Sequence, residues 1–179
     1  MTDLPHDPAL AVPSPWITRF APQISAGPVL DLAAGGGRHS RLLQDLGHDV
    51  LAVDRNAAAL AALKASGIAT MAEDLETGAI PACLGRRYAG VVVTNYLHRP
   101  LLPAIVGAVA PGGWLLYETF AQGNARFGKP SNPAFLLEPG ELLEVVRGRL
   151  RVIAYEDVEQ RDPRPAMIQR LAARAEAVT

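Results

Sequence analysis

Three acidic residues and a run of three glycines are the side chains whose spacing best indicates chemistry in this chain. The segment VLDLAAGGGRHS, residues 29–40, places Gly35, Gly36 and Gly37 directly after an apolar run that contains Asp31. Glycine has no Cβ, so the backbone can approach a ligand closely, and free N–H groups at a following helix start attract carboxylates and phosphates. The glycines alone remain weak evidence, because a tight strand-to-helix turn without a ligand has the same sequence.

The three acids indicate what such a ligand would carry. Asp54 follows Gly37 by 17 residues, where a carboxylate suits the two hydroxyls of a ribose. Asp74 ends the next apolar segment and can accept a hydrogen bond from an exocyclic amine such as that of adenine. Asp31 would repel a pyrophosphate but attract an ammonium or sulfonium group. Each acid alone is equally well explained as a helix cap or a solvated loop residue, but together they indicate S-adenosylmethionine.

Short apolar runs alternate with helical patterns along the chain and predict the elements that position these acids. Strands are expected at residues 29–33, 49–54, 68–74, 88–95, 114–120 and 150–158, and helices at 38–47, 56–67, 100–113 and 138–148. A reduced helix or plain loop is expected between the third and fourth strands. This βα alternation predicts an α/β fold with a doubly wound, mainly parallel sheet, Rossmann-like, with helices on both faces. The acids then lie together at the carboxyl ends of the strands, where such sheets bind ligands.

The two ends of the chain follow this alternation less clearly. Residues 1–13 carry three prolines and predict a flexible arm in front of a single domain, residues 14–179. Ser14 and Pro15 have the types expected at a helix N-cap and first helical position, with the helix ending near Pro22. Residues 165–178 favour a helix by propensity, but they follow RDPRP directly after a strand, which favours a hairpin. We expect a closing antiparallel strand over about residues 165–173.

Composition excludes several classes of protein. The chain has 179 residues, 49% hydrophobic and 20% charged, with a net charge of −1, typical of one globular domain without general attraction to nucleic acid or acidic membranes. A single cysteine cannot form an internal disulfide. The N-terminus lacks a signal-peptide pattern, and no apolar run approaches 18 residues, so a cytoplasmic location is expected. No Cys/His cluster has metal-ligand spacing, so no metal is expected.

On these residues the chain resembles the class I S-adenosylmethionine-dependent methyltransferases. VLDLAAGGGRHS matches their first motif, acid-x-Gly-x-Gly-x-Gly, except that Ala33 replaces the first glycine; we expect a negative φ there, which alanine tolerates. AVDRN and AEDLE match their second and third acidic positions, and VVVTNYLHR matches their fourth strand. The chain is most similar to the small, single-domain bacterial enzymes of the tellurite-resistance and ubiquinone-biosynthesis type.

The resemblance implies a seven-stranded sheet in the order 3-2-1-4-5-7-6 with strand 7 antiparallel, and S-adenosyl-L-methionine as the cofactor. The residues that it assigns to the cofactor are Asp31, Ala33, Gly35, Gly37, Arg38, Asp54, Arg55, Asp74, Leu75 and Asn95. His39, in the first turn of the helix after the glycines, is expected either to contact the cofactor carboxylate or to lie on the helix surface.

The methyl acceptor is expected beyond the fourth and fifth strands. His98 is the one obvious candidate for a catalytic base. Residues 117–142 are too apolar for a linker and are expected to form an ordered loop over one acceptor pocket, although packing on the sheet edge alone would also explain them. Arg99 and Arg126 would make that pocket receptive to an anion. The candidate substrate residues are Tyr96, Arg99, Tyr117, Glu118, Phe120, Arg126 and Phe127.

Transfer of a methyl group to a small molecule is the preferred function, and several alternatives stay open. A nicotinamide-dependent dehydrogenase would need a third glycine where Ser40 stands, and it leaves Asp31 unexplained. Methylation of nucleic acid is disfavoured because the stretch from Asn95 to His98 lacks the two prolines that grip a flipped base. A protein methyltransferase and a non-catalytic cofactor-binding module are the other two alternatives. The sequence predicts no oligomeric state.

Overall fold

The structure, a computed structural model, describes residues 12–177, so most of the predicted N-terminal arm lies outside the described residues. One seven-stranded sheet carries helices on both faces. Its strands are β1 Pro28–Leu32, β2 Asp49–Asp54, β3 Ala69–Ala72, β4 Tyr88–Thr94, β5 Val109–Phe120, β6 Arg151–Gln160 and β7 Ala166–Arg174. The α-helices are α1 Pro15–Phe20, α2 Arg38–Asp45, α3 Ala57–Ala65, α4 Leu102–Gly107 and α5 Glu141–Val146. The strand order is β3-β2-β1-β4-β5-β7-β6, which confirms the predicted fold.

The register of the parallel strands brings the ends that bear the motifs to one edge of the sheet. Strand β1 pairs in parallel with β2 and β4, so that Leu32 stands beside Val53 and Val93. Strand β5 continues the series, with Glu118 beside Thr94. The glycine turn and the segments after β2, β4 and β5 therefore leave the sheet side by side.

The central strands are buried on both faces, as their continuous apolar sequences predict. In β1, Leu30 and Leu32 face one core, which contains α4 and α5, while Val29 faces the other, which contains α1, α2 and α3. Because side chains alternate along a strand, each central strand contributes to both cores. Because both faces of the central strands are packed, the carboxyl ends of these strands are held in fixed positions.

Helices α1, α2 and α3 begin within one residue of their predicted starts, whereas α4 and α5 begin two and three residues later, and the helices are shorter than predicted. The Ser14 side chain accepts a hydrogen bond from the N–H of Trp16 at the start of α1, and Asn56 caps α3 in the same way. The link between β3 and β4 contains only a 3-10 helix, Ala82–Gly85, as expected. Helices α4 and α5 each span six residues, well within the predicted ranges. No helix within residues 12–177 is long and apolar enough to cross a membrane.

The C-terminal segment forms a strand, which confirms the hairpin prediction over helix propensity. Strand β7 lies antiparallel between β5 and β6, and Ile168, Leu171 and Ala173 on it are buried. Pairing on both sides satisfies its backbone and outweighs the local preference for helix. Strand β5 begins five residues earlier than predicted, at Val109 rather than at residue 114. Gly113 permits this, because a Cβ there would lie 2.8 Å from the carbonyl oxygen of Ala110.

Candidate cofactor and acceptor site

The glycine turn reverses the chain between β1 and α2 through three residues in the left-handed region. Ala33 has φ of 56°, Gly35 has 54° and Gly37 has 74°. The expectation of a negative φ at Ala33 is therefore wrong. The chain must leave β1 and turn at once into α2, and this turn needs a left-handed residue where related motifs carry glycine. Left-handed backbone costs an alanine roughly 1–2 kcal/mol, because its Cβ crowds the following carbonyl oxygen.

The three glycines have different roles. A Cβ on Gly37 would lie 2.2 Å from Cδ2 of Leu63 in α3, so the packing of the protein itself excludes a side chain there. A Cβ on Gly35 or Gly36 would meet no heavy atom within 4 Å. The turn therefore leaves open space over Gly35 and Gly36, and only these two glycines present bare backbone to a ligand.

Asp54 is tied to the glycine turn. Its Oδ2 accepts a hydrogen bond from the N–H of Gly35 at 2.8 Å, and its Oδ1 accepts one from the N–H of Asn56 at 2.8 Å. The carboxylate is half-buried at the end of β2, while the neighbouring Arg55 is exposed. Each carboxylate oxygen can accept a second hydrogen bond. The two backbone contacts thus fix the carboxylate while leaving capacity for two hydroxyl groups.

Asp31 is a buried acid with one oxygen unsatisfied. It is 1% exposed, and its Oδ2 accepts a hydrogen bond from the hydroxyl of Ser40 at 2.5 Å. Its Oδ1 is buried and has no hydrogen-bond partner within residues 12–177. Burial raises the pKa of Asp31 to about 6, although Ser40 and the Arg38 guanidinium act in the opposite direction. A cationic group beside Oδ1 would compensate the buried charge.

The remaining cofactor candidates lie at the same sheet edge. Asp74 is exposed two residues beyond β3, and its Oδ1 accepts the N–H of Glu76 at 2.9 Å, while Leu75 is buried. Asn95 follows β4 with φ of 53°, and its N–H donates to the carbonyl of Glu118 at 2.9 Å. These contacts shape the turns after β3 and β4, and their roles toward a cofactor stay predictions.

His39 has a structural role that neither expectation foresaw. Its ring is buried, and Nε2 accepts a hydrogen bond from the N–H of Ser14 at 3.0 Å. Because Nε2 accepts, Nδ1 carries the proton and donates to the Thr94 hydroxyl at 3.2 Å. Burial, assisted by the neighbouring Arg38, lowers the pKa of His39 to about 3. His39 is thus a neutral link between the start of α1, helix α2 and the end of β4.

Two adjoining cavities, rather than one pocket, lie beyond β4 and β5. The smaller has a volume of about 240 Å³ and is lined by Arg38, Glu118 and the segment from Val12 to Pro15, among others. The larger has a volume of about 680 Å³. Asn95, Phe120 and Arg164 line both cavities. The two cavities are therefore adjoining parts of one cleft, and these three residues lie between them.

Loop 121–137, the segment between β5 and α5 that starts at Ala121 and ends at Leu137, forms much of the wall of the larger cavity. Phe127, Lys129 and Phe135 from this loop line the cavity together with Tyr96, which follows β4. The prediction of an ordered loop over a pocket therefore agrees with the structure. Lys129, Phe135 and Arg164 also line this cavity, although they were not among the predicted substrate residues. Lys129 and Phe135 lie in the predicted loop, residues 117–142. The sequence around Arg164 contains no motif that would have indicated a site.

Arg99 does not face the cavity, contrary to prediction. Its Nε and Nη2 donate to the two oxygens of Glu141 at 2.8 and 2.9 Å. Nη1 donates to the carbonyl of Ala134, and Nη2 also donates to that of Leu136. The Glu141 carboxylate raises the pKa of Arg99. With these donors engaged, Arg99 fastens loop 121–137 to α5 and cannot serve as the anion-binding residue.

Three further candidates lie away from both cavities. Tyr117 is fully buried, its hydroxyl donates to the carbonyl of Tyr96 at 2.8 Å, and burial raises its pKa. Arg126 is half-exposed, pairs with Glu159 of β6 at 2.5 Å and lies over the ring of Phe127. His98 lines neither cavity. These positions do not support Tyr117 and Arg126 as substrate residues or His98 as a base.

Glu118 lines the smaller cavity and belongs to a buried charge network. Its Oε2 lies 2.7 Å from Nε of Arg170, an ion-pair contact that lacks hydrogen-bond alignment. Arg170 also donates to Glu156 at 3.0 Å and to Gln160 at 2.8 Å. The pair therefore orients Glu118 at the cavity wall. Within the described part of the chain, no three His, Cys, Asp or Glu side chains are grouped to hold a metal ion.

Comparison with known proteins identifies the family. Residues 17–117, more than half of the chain, match the family model described as tellurite resistance protein TehB. The matched region contains the glycine turn and the acidic positions after β2 and β3. No curated protein sequence matches the chain.

Solved structures share the fold at low sequence identity. TehB from Haemophilus influenzae superposes with a TM-score of 0.71 at 24% identity, covering 89% of this chain and 61% of that one, so this chain spans only part of that relative. A 1,6-didemethyltoxoflavin-N1-methyltransferase from Burkholderia thailandensis, solved with its acceptor and S-adenosylhomocysteine, gives 0.61 at 21%, covering 89% and 78%. The [4+2]-cyclase SpnF gives 0.67 at 14%, covering 90% and 80%.

These likenesses extend over 89–90% of the chain. Structures below 25% identity establish the fold, whereas the match to the family model establishes membership. The resemblance noted from the sequence is therefore confirmed. The chain therefore belongs to the family described as tellurite resistance protein TehB.

Proposed function

We propose that this protein binds S-adenosylmethionine at the glycine turn and transfers its methyl group to a small-molecule acceptor in the adjoining cleft. The observation that carries the proposal is the unpartnered, buried Oδ1 of Asp31 on β1, the strand that leads into a turn whose backbone is open at Gly35 and Gly36. A buried carboxylate oxygen without a partner is costly, and a cationic ligand group would supply the partner that Oδ1 lacks. Membership of the TehB family supports the same conclusion.

The residues at the sheet edge fit this cofactor. Asp54 would accept the ribose hydroxyls, because both its oxygens are already held in place by backbone N–H groups. Asp31 would face the ammonium group, and Asp74 with Leu75 would border the adenine. When bound, S-adenosylmethionine supplies a methyl group on a sulfonium centre, which is already activated for displacement.

The protein's own contribution is positioning rather than acid–base chemistry. His98 lies outside both cavities, and no histidine within residues 12–177 lines either of them as a candidate base. The chain would instead align an acceptor in line with the methyl group and exclude water from the cleft. Alignment of this kind is worth roughly 7–11 kcal/mol in well-oriented intramolecular reactions. We therefore expect acceptors that are nucleophilic without a strong base.

A small acceptor is favoured over a macromolecule by the size of the cleft and the net charge of the chain. The larger cavity, at about 680 Å³, is in the range of ordinary small-molecule sites. The net charge of −1 offers no electrostatic attraction for nucleic acid. The Burkholderia thailandensis relative, solved with a small acceptor, supports the same class.

A second candidate is a protein that binds the cofactor without transferring its methyl group. The likeness to the [4+2]-cyclase SpnF supports this second candidate, because a protein with this fold is named for a cyclisation rather than for methyl transfer. Fold alone does not decide between these functions.

A methyl-transfer screen tests the proposal. The wild-type protein is incubated with S-adenosylmethionine labelled in its methyl group and with sets of thiols, phenols, amines and chalcogen oxyanions. We expect labelled product from at least one set, and loss of that product in Asp54→Ala. Asp49→Ala, at the opposite end of the same strand, serves as the matched control and should retain activity. Cofactor binding without transfer to any set would favour the second candidate.

A further inference from the structure

Loop 121–137 is held in place at both ends, so the larger cavity is formed before any ligand binds. Buried Asn124 donates from its side-chain amide to the carbonyl of Pro130 at 2.9 Å and accepts the N–H of Met167 at 3.1 Å. At the far end, Arg99 donates to the carbonyls of Ala134 and Leu136. A preformed wall reduces the ordering cost of binding.

The walls of this cavity are unusually aromatic for this chain. Three of its four phenylalanines, Phe120, Phe127 and Phe135, line the cavity together with Tyr96. Phe135 is 48% exposed, although a phenylalanine gains free energy when it is buried. A flat ring entering the cavity would cover this side chain and pack against its neighbours. Aromatic side chains prefer such ring partners in stacked or edge-to-face geometry.

The charged groups of the cavity favour an anion. Lys129 and Arg164 line it, and neither forms an ion pair with a carboxylate within residues 12–177. Cζ of Arg164 lies 5.7 Å from the ring centroid of Phe120, so this cation is next to one of the aromatic side chains that line the cavity. Glu76 is the one carboxylate among the lining residues. Arg99 and Arg126, in contrast, are both engaged with carboxylates elsewhere.

We infer, on the basis of the proposed function, that the larger cavity binds a flat aromatic acceptor bearing a negatively charged group. The ring would lie among Tyr96, Phe127 and Phe135, and the anionic group would be held by Lys129 and Arg164. A guanidinium can donate two parallel hydrogen bonds to a carboxylate, which fixes the orientation of the ring as well as its charge. The acceptor class is therefore aryl carboxylates and similar aryl anions.

Calorimetric titration with three probes separates ring from charge. The probes are 2-naphthoate, its neutral analogue 2-naphthamide and the non-aromatic anion cyclohexanecarboxylate, each with S-adenosylhomocysteine present so that no turnover occurs. We expect 2-naphthoate to bind at least about tenfold more tightly than either other probe. Arg164→Ala with Lys129→Ala should remove the preference for the charged ring over the amide.

Aromatic and control variants complete the test. Phe135→Ala should remove most of the preference for 2-naphthoate over cyclohexanecarboxylate. Because Phe135 is half-exposed, we expect this variant to fold. Arg126→Ala is the matched control, because Arg126 is paired with Glu159 outside the cavity and should leave all three affinities unchanged. Equal affinities for the three probes, or no binding of 2-naphthoate, would overturn the inference.

A parallel titration with S-adenosylmethionine distinguishes the two proposals. Binding of the cofactor without 2-naphthoate would overturn the ligand class and leave the proposed function standing. Binding of 2-naphthoate without the cofactor would support the ligand class of the cavity, while its role as an acceptor site would fall with the proposed function.

Discussion

Gly37 lies directly against Leu63, and a Cβ on this glycine would fall 2.2 Å from Cδ2 of the leucine. Leu63 is fully buried in the core between α3 and the sheet. The third glycine of the motif is therefore required by the contact between α2 and α3. The other two glycines leave the space above the turn open.

We expect Gly37→Ala to lower the free energy of unfolding by about 2–4 kcal/mol, since it combines overpacking with a left-handed backbone. Gly36→Ala is the matched control, because its Cβ would meet no atom within 4 Å. Chemical denaturation of both variants measures the difference. A Gly37→Ala variant as stable as the wild type would show that Leu63 moves aside without cost.

Replacing Ala33 by glycine should stabilise the protein by about 0.5–1 kcal/mol. Ala33 has φ of 56°, and a glycine there removes the Cβ strain, although the more flexible unfolded chain offsets part of the gain. Ala34→Gly is the control, since Ala34 is not in the left-handed region and should lose stability. Thermal unfolding of the pair decides the point, and a loss of stability in both would refute the assignment of strain to Ala33.

Much of the sheet could be predicted from the sequence, because each buried strand is a short apolar run that ends at a polar residue. The apolar runs gave the strands their places, and the resemblance to a known family gave their order. Strand β7 was predictable only from the turn in front of it, because its residues prefer helix.

The site was less predictable, because its side chains are fixed by partners distant in sequence. Arg99 was predicted to bind an anionic substrate, but its Nε and Nη2 both donate to Glu141, which lies 42 residues away in the sequence. His39 was expected to contact the cofactor or to lie on the helix surface, but Ser14 and Thr94 hold it in the core. The φ of Ala33 depends on how α2 docks on the sheet, which no local pattern records.

Asp31→Asn should make the ligand-free protein more stable above pH 6. Burial raises the pKa of Asp31 to about 6 from an ordinary value of 3.8, so the folded state binds more protons than the unfolded chain between these values. Stability therefore falls as pH rises through this window, and above it the cost is on the order of 3 kcal/mol. The amide removes this cost, except for the weaker hydrogen bond to Ser40, so we expect a gain of about 1–3 kcal/mol.

Denaturation of Asp31→Asn at several pH values, with Asp45→Asn on the exposed end of α2 as control, measures this gain. The same variant should bind S-adenosylmethionine at least about tenfold more weakly, since it lacks the negative charge. A variant that is both less stable and unchanged in affinity would contradict the account of Asp31.

Arg99→Ala should loosen loop 121–137 without affecting the cofactor. The change removes the ion pair to Glu141 and the hydrogen bonds to the carbonyls of Ala134 and Leu136. We expect faster cleavage of the loop by proteases and lower turnover, with unchanged affinity for S-adenosylmethionine. Arg126→Ala, in the same loop but paired with β6, should behave like the wild type. Weaker cofactor binding in Arg99→Ala would contradict this prediction, because it would show that loop 121–137 contributes to the cofactor site.

Calorimetric titration of the wild-type protein and Asp54→Ala with S-adenosylmethionine tests the central claim most directly. The carboxylate of Asp54 is held by the N–H groups of Gly35 and Asn56, and charge-assisted hydrogen bonds to a ribose are worth roughly 1.5–3 kcal/mol each. We predict one site per chain in the wild type, at least about tenfold weaker binding in Asp54→Ala, and no comparable binding of NAD. Unchanged affinity in a folded Asp54→Ala, or a preference for NAD, would contradict it.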